Sequence, residues 1–140
     1  MNDVNIPTWL QWLRSHIGES EKTGEQATPF ETEIFSHTDC PFDGVELAGC
    51  AATMCAALEE NGFPSPHNAA AISFRDYGIA CDLKPGAILV FEWSENEHHV
   101  TCCSSIINSG IVACIGGNQS STLKISNYPS SKIIACRWPG

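Results

Sequence analysis

The sequence predicts a single α+β domain in which helices come first and antiparallel strands follow. Three observations predict it. An alanine-rich run over residues 49–61 has helical composition and is stopped by Gly62 and Pro64. Beyond residue 86 the pattern changes to short β-rich runs divided by turn signals. Finally, 140 residues that are 43% hydrophobic and 16% charged suffice for one packed core, with no repeat or linker to divide them.

The elements follow in order. Residues 8–17 place Trp9, Trp12, Leu13 and His16 on one helical stripe after Pro7, and Gly18 ends the helix. Residues 19–48 are polar and turn-rich and read as a long loop, with one helical turn over 31–35. The alanine-rich helix comes next, and a second short helix is expected over 68–76. Strands are expected over 87–92, 100–107, 111–115, 122–126 and 133–138. The turns between them are Asn108-Ser109-Gly110, Gly116-Gly117 and Tyr128-Pro129, and Lys84-Pro85-Gly86 precedes the first. The N-terminal helices should therefore pack on a sheet of about five antiparallel strands.

Seven Lys and Arg against sixteen Asp and Glu give a net charge of −9. That balance excludes nucleic acid as the main partner, since phosphate backbones are bound by Lys and Arg. It also excludes docking on an anionic membrane through basic residues. No apolar run approaches the roughly eighteen residues that span a bilayer. Residues 1–7 show neither a basic nor an apolar leader region, so no secretory signal is expected.

Eight cysteines are the unusual number in the composition. They admit disulfides, a metal site, or a thiol enzyme with additional buried cysteines. The spacings carry no paired Cys and His half-sites of the zinc kind, so no metal and no cofactor is expected. Cys55, Cys102, Cys103, Cys114 and Cys136 fall in predicted elements and read as core. Cys40 and Cys81 fall in loops and form the most plausible oxidisable pair.

Cys50 is set apart by position. It opens the alanine-rich helix, where exposed N–H groups and the positive end of the dipole favour a thiolate. The same backbone offers donors to an oxyanion. His99 opens a predicted strand, and Asn118 follows nineteen residues later, just after the next strand. Cysteine on a helix start, histidine on a strand and an amide on the neighbouring strand make a thiol triad. The thiolate attacks a carbonyl, the imidazole moves the proton, and the amide orients the imidazole.

From Trp9 to Arg137-Trp138-Pro139 the chain resembles the CHAP and NlpC/P60 group of papain-like cysteine amidases. The resemblance is carried by Cys50-Ala51-Ala52, Tyr77-Gly78, Lys84-Pro85-Gly86, His99-Val100 and Gly116-Gly117-Asn118-Gln119. It implies a papain-like fold and hydrolysis of an amide in bacterial peptidoglycan, with Cys50, His99 and Asn118 as the catalytic residues. Three departures from the family pattern bear on substrate preference. Gly49 stands where Trp is common before the nucleophile, His98 where Gly is common before the histidine, and Gly86-Ala87 in place of a Gly-Asp pair.

Other residues are candidates for substrate contact. Gly49 and His98 would shape the pocket rim, and Gln119 substitutes for Asn118 if the register slips by one. Asp43 and Glu46 read as solvated loop acids, either of which could meet a free amine of the substrate, and His37 could line the cleft from the loop before the nucleophile. His98 is expected at the rim or in solvent, because neighbours on a strand face opposite ways.

The size leaves no room for a separate wall-binding module. The expected protein is a bare, monomeric catalytic unit made in the cytoplasm and delivered to the periplasm or wall of a target bacterium. Either a phage lysin or a secreted effector fits, and an effector would be matched by a cognate immunity protein. Two other readings remain open: an acyltransferase or deamidase on the same triad, and a non-catalytic cysteine-rich binding module.

Overall fold

The computed structural model describes residues 6–18, 30, 33–34, 36–38, 50–117 and 122–140. Helix α1 covers Thr8–Ser15, and the amides of Leu10 and Gln11 both donate to the Pro7 carbonyl at 3.1 Å. It buries Trp9, Leu10 and Leu13. The Trp9 indole Nε1 donates to the Gly86 carbonyl at 2.8 Å, while its ring meets Phe63 and Trp138 edge-on. Gly86 is required there. It has φ +95°, and a Cβ would sit 2.4 Å from Pro7 Cγ.

Helix α2 covers Cys50–Glu59, with every residue from Ala51 to Leu58 buried. A helix apolar all round belongs inside, and four alanines let the sheet approach closely. Its end is a Schellman motif: the Phe63 amide donates to the Leu58 carbonyl at 3.0 Å and that of Gly62 to Glu59 at 3.2 Å. Gly62 takes the left-handed conformation this requires, with φ +87°. Burying Met54 and Leu58 contributes about 1.5–3 kcal/mol each.

Six antiparallel strands follow: β1 Ile79–Ala80, β2 Ile88–Ser94, β3 Glu97–Asn108, β4 Ile111–Gly116, β5 Lys124–Pro129 and β6 Ile133–Trp138. Their spatial order is β1-β6-β2-β3-β4-β5. The α+β class and the segregation of helices before strands agree with the sequence reading, with β1 as an additional short edge strand. The helix expected over 68–76 is only a 3-10 turn, Ala71–Phe74. The Asn68 side chain accepts from the Ala70 amide at 2.8 Å, offering the backbone a turn in place of a helix. Strand β5 runs later than expected and takes in Tyr128 and Pro129. Proline is tolerated there because β5 is an edge.

The sheet is strongly curled, and chain length shows why. Strands β2, β3 and β4 lie between β6 and β5, so laid flat those two would stand about 19 Å apart. Only a 3-10 turn, Ser130–Lys132, joins them. Four Cα steps reach at most about 15 Å when extended, and less in such a turn. Strands β5 and β6 therefore swing toward each other. Tyr128 on β5 consequently touches Phe91 and Trp93 on β2, at centroid distances of 5.3 and 5.4 Å.

Curling gives the sheet two distinct faces. Ile88, Val90, Val100, Cys102 and Ile115 pack with the helices. Ala87, Leu89, Phe91, Cys103, Val112 and Cys114 line the other, concave side.

Candidate active site

Cys50 is the first residue of α2, half-buried against the main core. The helix places its thiol where the first backbone amides have no carbonyl partner within the helix. An anion at that position is favoured by those amides and by the dipole.

His99 lies within β3, opposite Phe91 of β2. The strand begins at Glu97, two residues earlier than His99, so both histidines lie inside the ladder. Alternation then separates them. His99 shares the concave side with Phe91, whereas His98 shares the side of Val100 and the helices. There His98 Nε2 meets Glu92 Oε2 at 3.0 Å across the β2–β3 ladder, with the His98 side chain 17% exposed.

His99 is enclosed by aromatic rings. Trp93 stacks at 6.4 Å and Tyr128 meets it edge-on at 5.5 Å. Burial pushes the imidazole down to about 4, so it is neutral at pH 7. Its Nε2 is fully buried and has no hydrogen-bond partner among the described residues. An unsatisfied buried polar atom costs about 1–3 kcal/mol.

Tyr128 belongs to the same aromatic enclosure. Its hydroxyl is pushed up by burial first, and also by negative charge on Cys114 and on Cys50. By strand alternation, the helix that carries Cys50 packs on the side of the sheet that carries His98, and His99 faces the other side. Sequence reasoning missed both Tyr128 and Trp93. Tyr128 was hidden because Tyr-Pro read as a turn, and Trp93 because its contact depends on the β2–β3 register.

His37 sits elsewhere. Its Nδ1 meets Glu59 Oε1 at 2.8 Å and its Nε2 meets Glu60 Oε2 at 3.2 Å. These partners lie at the C-terminal end of α2, and nine residues at 1.5 Å each put Glu59 about 13 Å from Cys50 along the helix. The expectation that His37 lines the cleft is corrected accordingly, since the Glu59 and Glu60 carboxylates hold it at the opposite end. His67 Nδ1 and the Ser65 hydroxyl also converge on Glu59 Oε2, at 3.0 and 2.5 Å. Burial raises the Glu59 pKa, but hydrogen bonds from Ser65, His67 and His37 outweigh it and leave the carboxyl below its ordinary value.

Among the described residues, Glu33, His37 and Glu60 form a group whose ligand atoms lie within 4.8 Å of one another. Both ring nitrogens of His37 already meet carboxylates, so the cluster is satisfied by its own hydrogen bonds. Gly49, Asp43, Glu46, Asn118 and Gln119 lie outside the described residues.

The cysteines divide by depth. Cys55, Cys102, Cys103 and Cys114 are buried, and burial pushes each thiol up, Cys103 to about 11 and Cys114 to about 12. Cys81 was expected to face Cys40, which lies outside the described residues. Its sulfur is instead 3.7 Å from that of Cys136, a residue read from sequence as core. The pairing depends on β1, a strand of two residues with no periodic signal.

No protein-family profile matches the chain, and no curated protein matches it.

Proposed function

We propose that this chain is a papain-like cysteine amidohydrolase of the CHAP and NlpC/P60 kind, acting on an amide bond in bacterial peptidoglycan. The observation that carries the reading is the His99 imidazole: buried, neutral, and with Nε2 unsatisfied among the described residues. A neutral imidazole is the form a general base requires. An orphaned ring nitrogen is what a positioning amide would satisfy. Asn118 is the group proposed for it. Gln119 fills the role if the register shifts by one.

The reaction proceeds in two halves. On this reading the start of α2 reaches past the sheet to His99, which takes the Cys50 proton, and the thiolate attacks the amide carbonyl carbon while the backbone amides at the start of α2 hold the oxyanion. His99 then returns the proton to the leaving nitrogen as the C–N bond breaks, leaving a thioester on Cys50. Water attacks the thioester with His99 as base, releasing the carboxylate and restoring the thiol.

The substrate class rests on the resemblance described above, with Gly49 and His98 shaping the rim and Asp43 meeting a free amine. On this reading the protein acts as a monomer in the periplasm or wall of a target bacterium, and an effector role brings a cognate immunity protein. Incubation with purified sacculi, followed by mass spectrometry of the soluble fragments, tests it. New amine and carboxyl ends are expected from the wild type and none from Cys50→Ala. Acyl transfer products or deamidated peptides without chain cleavage would replace hydrolysis by one of the rival reactions.

A further inference from the structure

We infer that Cys81 and Cys136 are a disulfide-forming pair that closes under oxidising conditions and staples β1 to β6. The inference is independent of the role given to Cys50. The two sulfurs are 3.7 Å apart, and both side chains pack against the concave cluster. The β1–β6 ladder pairs Ile79 with Trp138 and Ala80 with Arg137, and the Cys81 amide donates to the Cys136 carbonyl at 3.0 Å. Cys81 and Cys136 therefore occupy the next rung. Directly opposed residues of an antiparallel pair have Cα atoms about 4.5–5.5 Å apart, inside the range that a disulfide spans. Closing the bond needs about 2 Å of approach between the sulfurs, which side-chain rotation supplies.

The location gives the link a purpose. Strand β1 is two residues long, and Arg137 reinforces it from β6 by donating to the Tyr77 and Gly78 carbonyls at 2.6 and 3.2 Å. A cross-link between positions separated by 55 residues would hold that strand covalently.

The chemistry balances with a small-molecule disulfide as oxidant. The Cys81 thiolate attacks one sulfur of oxidised glutathione and displaces one glutathione thiolate. Cys136 then attacks the Cys81 sulfur of the mixed disulfide and displaces the second. Each protein thiol gives its proton to solvent, one S–S bond forms in the protein, and the oxidant is reduced to two thiols. The order follows from Cys136, pushed up to about 12 by burial first and then by the charge of Cys81. Once Cys81 is in the mixed disulfide, its charge no longer opposes ionisation of Cys136.

The test is oxidation of the full chain by oxidised glutathione, read by intact mass and by peptide mapping without reduction. A Cys50→Ala chain removes the competing thiol and is run beside the wild type. The inference expects a Cys81–Cys136 linked peptide in both, and in Cys50→Ala a mass lower by two hydrogens. It also expects a glutathione adduct that persists on Cys81 in Cys136→Ser. A link from Cys81 or Cys136 to any other cysteine, such as Cys103, would overturn it. So would a persistent Cys81 adduct in the wild type, or no reaction at Cys81.

Discussion

His99 and Tyr128 meet edge to face with ring centroids 5.5 Å apart, although they stand on strands separated by β4. The contact exists because the sheet curls, and it keeps water from the imidazole. The structure thus ties the protonation of one residue to the packing of another distant in sequence. Tyr128→Ala should open the aromatic enclosure and let the His99 pKa rise from about 4 toward the ordinary 6.5. It should also cost about 3 kcal/mol through lost aromatic packing. Tyr128→Phe keeps the ring and should leave the His99 pKa low. NMR titration of the His99 ring protons in the two variants measures this. An unchanged value in Tyr128→Ala would remove the assigned cause.

The same buried imidazole makes stability depend on pH with a definite sign. The folded value, about 4, lies below the ordinary 6.5. Between those values the unfolded chain binds the proton and the folded chain does not. Stability therefore falls as pH drops from about 7 to 4, and His99 accounts for up to about 3 kcal/mol of that loss. His99→Gln keeps a buried polar group that does not titrate. Urea unfolding at pH 7 and pH 4 should show a smaller acid loss in the variant by about that amount. The surrounding carboxylates contribute equally to both chains, so equal acid losses would contradict the assignment.

The cluster at the far end of α2 should behave as structure. His37→Ala and Glu59→Gln each remove charge-assisted hydrogen bonds to partly buried partners, worth about 1–3 kcal/mol. Both variants should melt earlier and, while folded, keep the rate at which Cys50 reacts with a small alkylating agent. A tenfold slower Cys50 with unchanged melting would return His37 to the cleft.

How much of this was legible in the sequence depends on the range of the interaction. The α2 helix was readable because its signals are local: four alanines, then Gly62 and Phe63 in a Schellman end. The hairpin β3–β4 was readable for the same reason, with Asn108-Ser109-Gly110 as its turn. The second helix failed because Asn68 captures a backbone amide locally, which propensity alone does not weigh. The face of each histidine required the β2–β3 register. The partners of His37 and Cys81 lie 22 and 55 residues away, on elements whose approach no local pattern encodes. Position marked Cys50 and His99 as candidates. The aromatic enclosure of His99 came only from the curl of the sheet.

The central claim is that Cys50 is a nucleophile assisted by His99. The most direct test is the rate of alkylation of each cysteine by iodoacetamide at pH 6, mapped by mass spectrometry in wild type and in His99→Gln. Cys50 should react first, ahead of the thiols that burial pushes up. Its rate should fall on the order of tenfold when the imidazole is lost. Slow, uniform labelling of all cysteines, or a Cys50 rate indifferent to His99, would contradict the account.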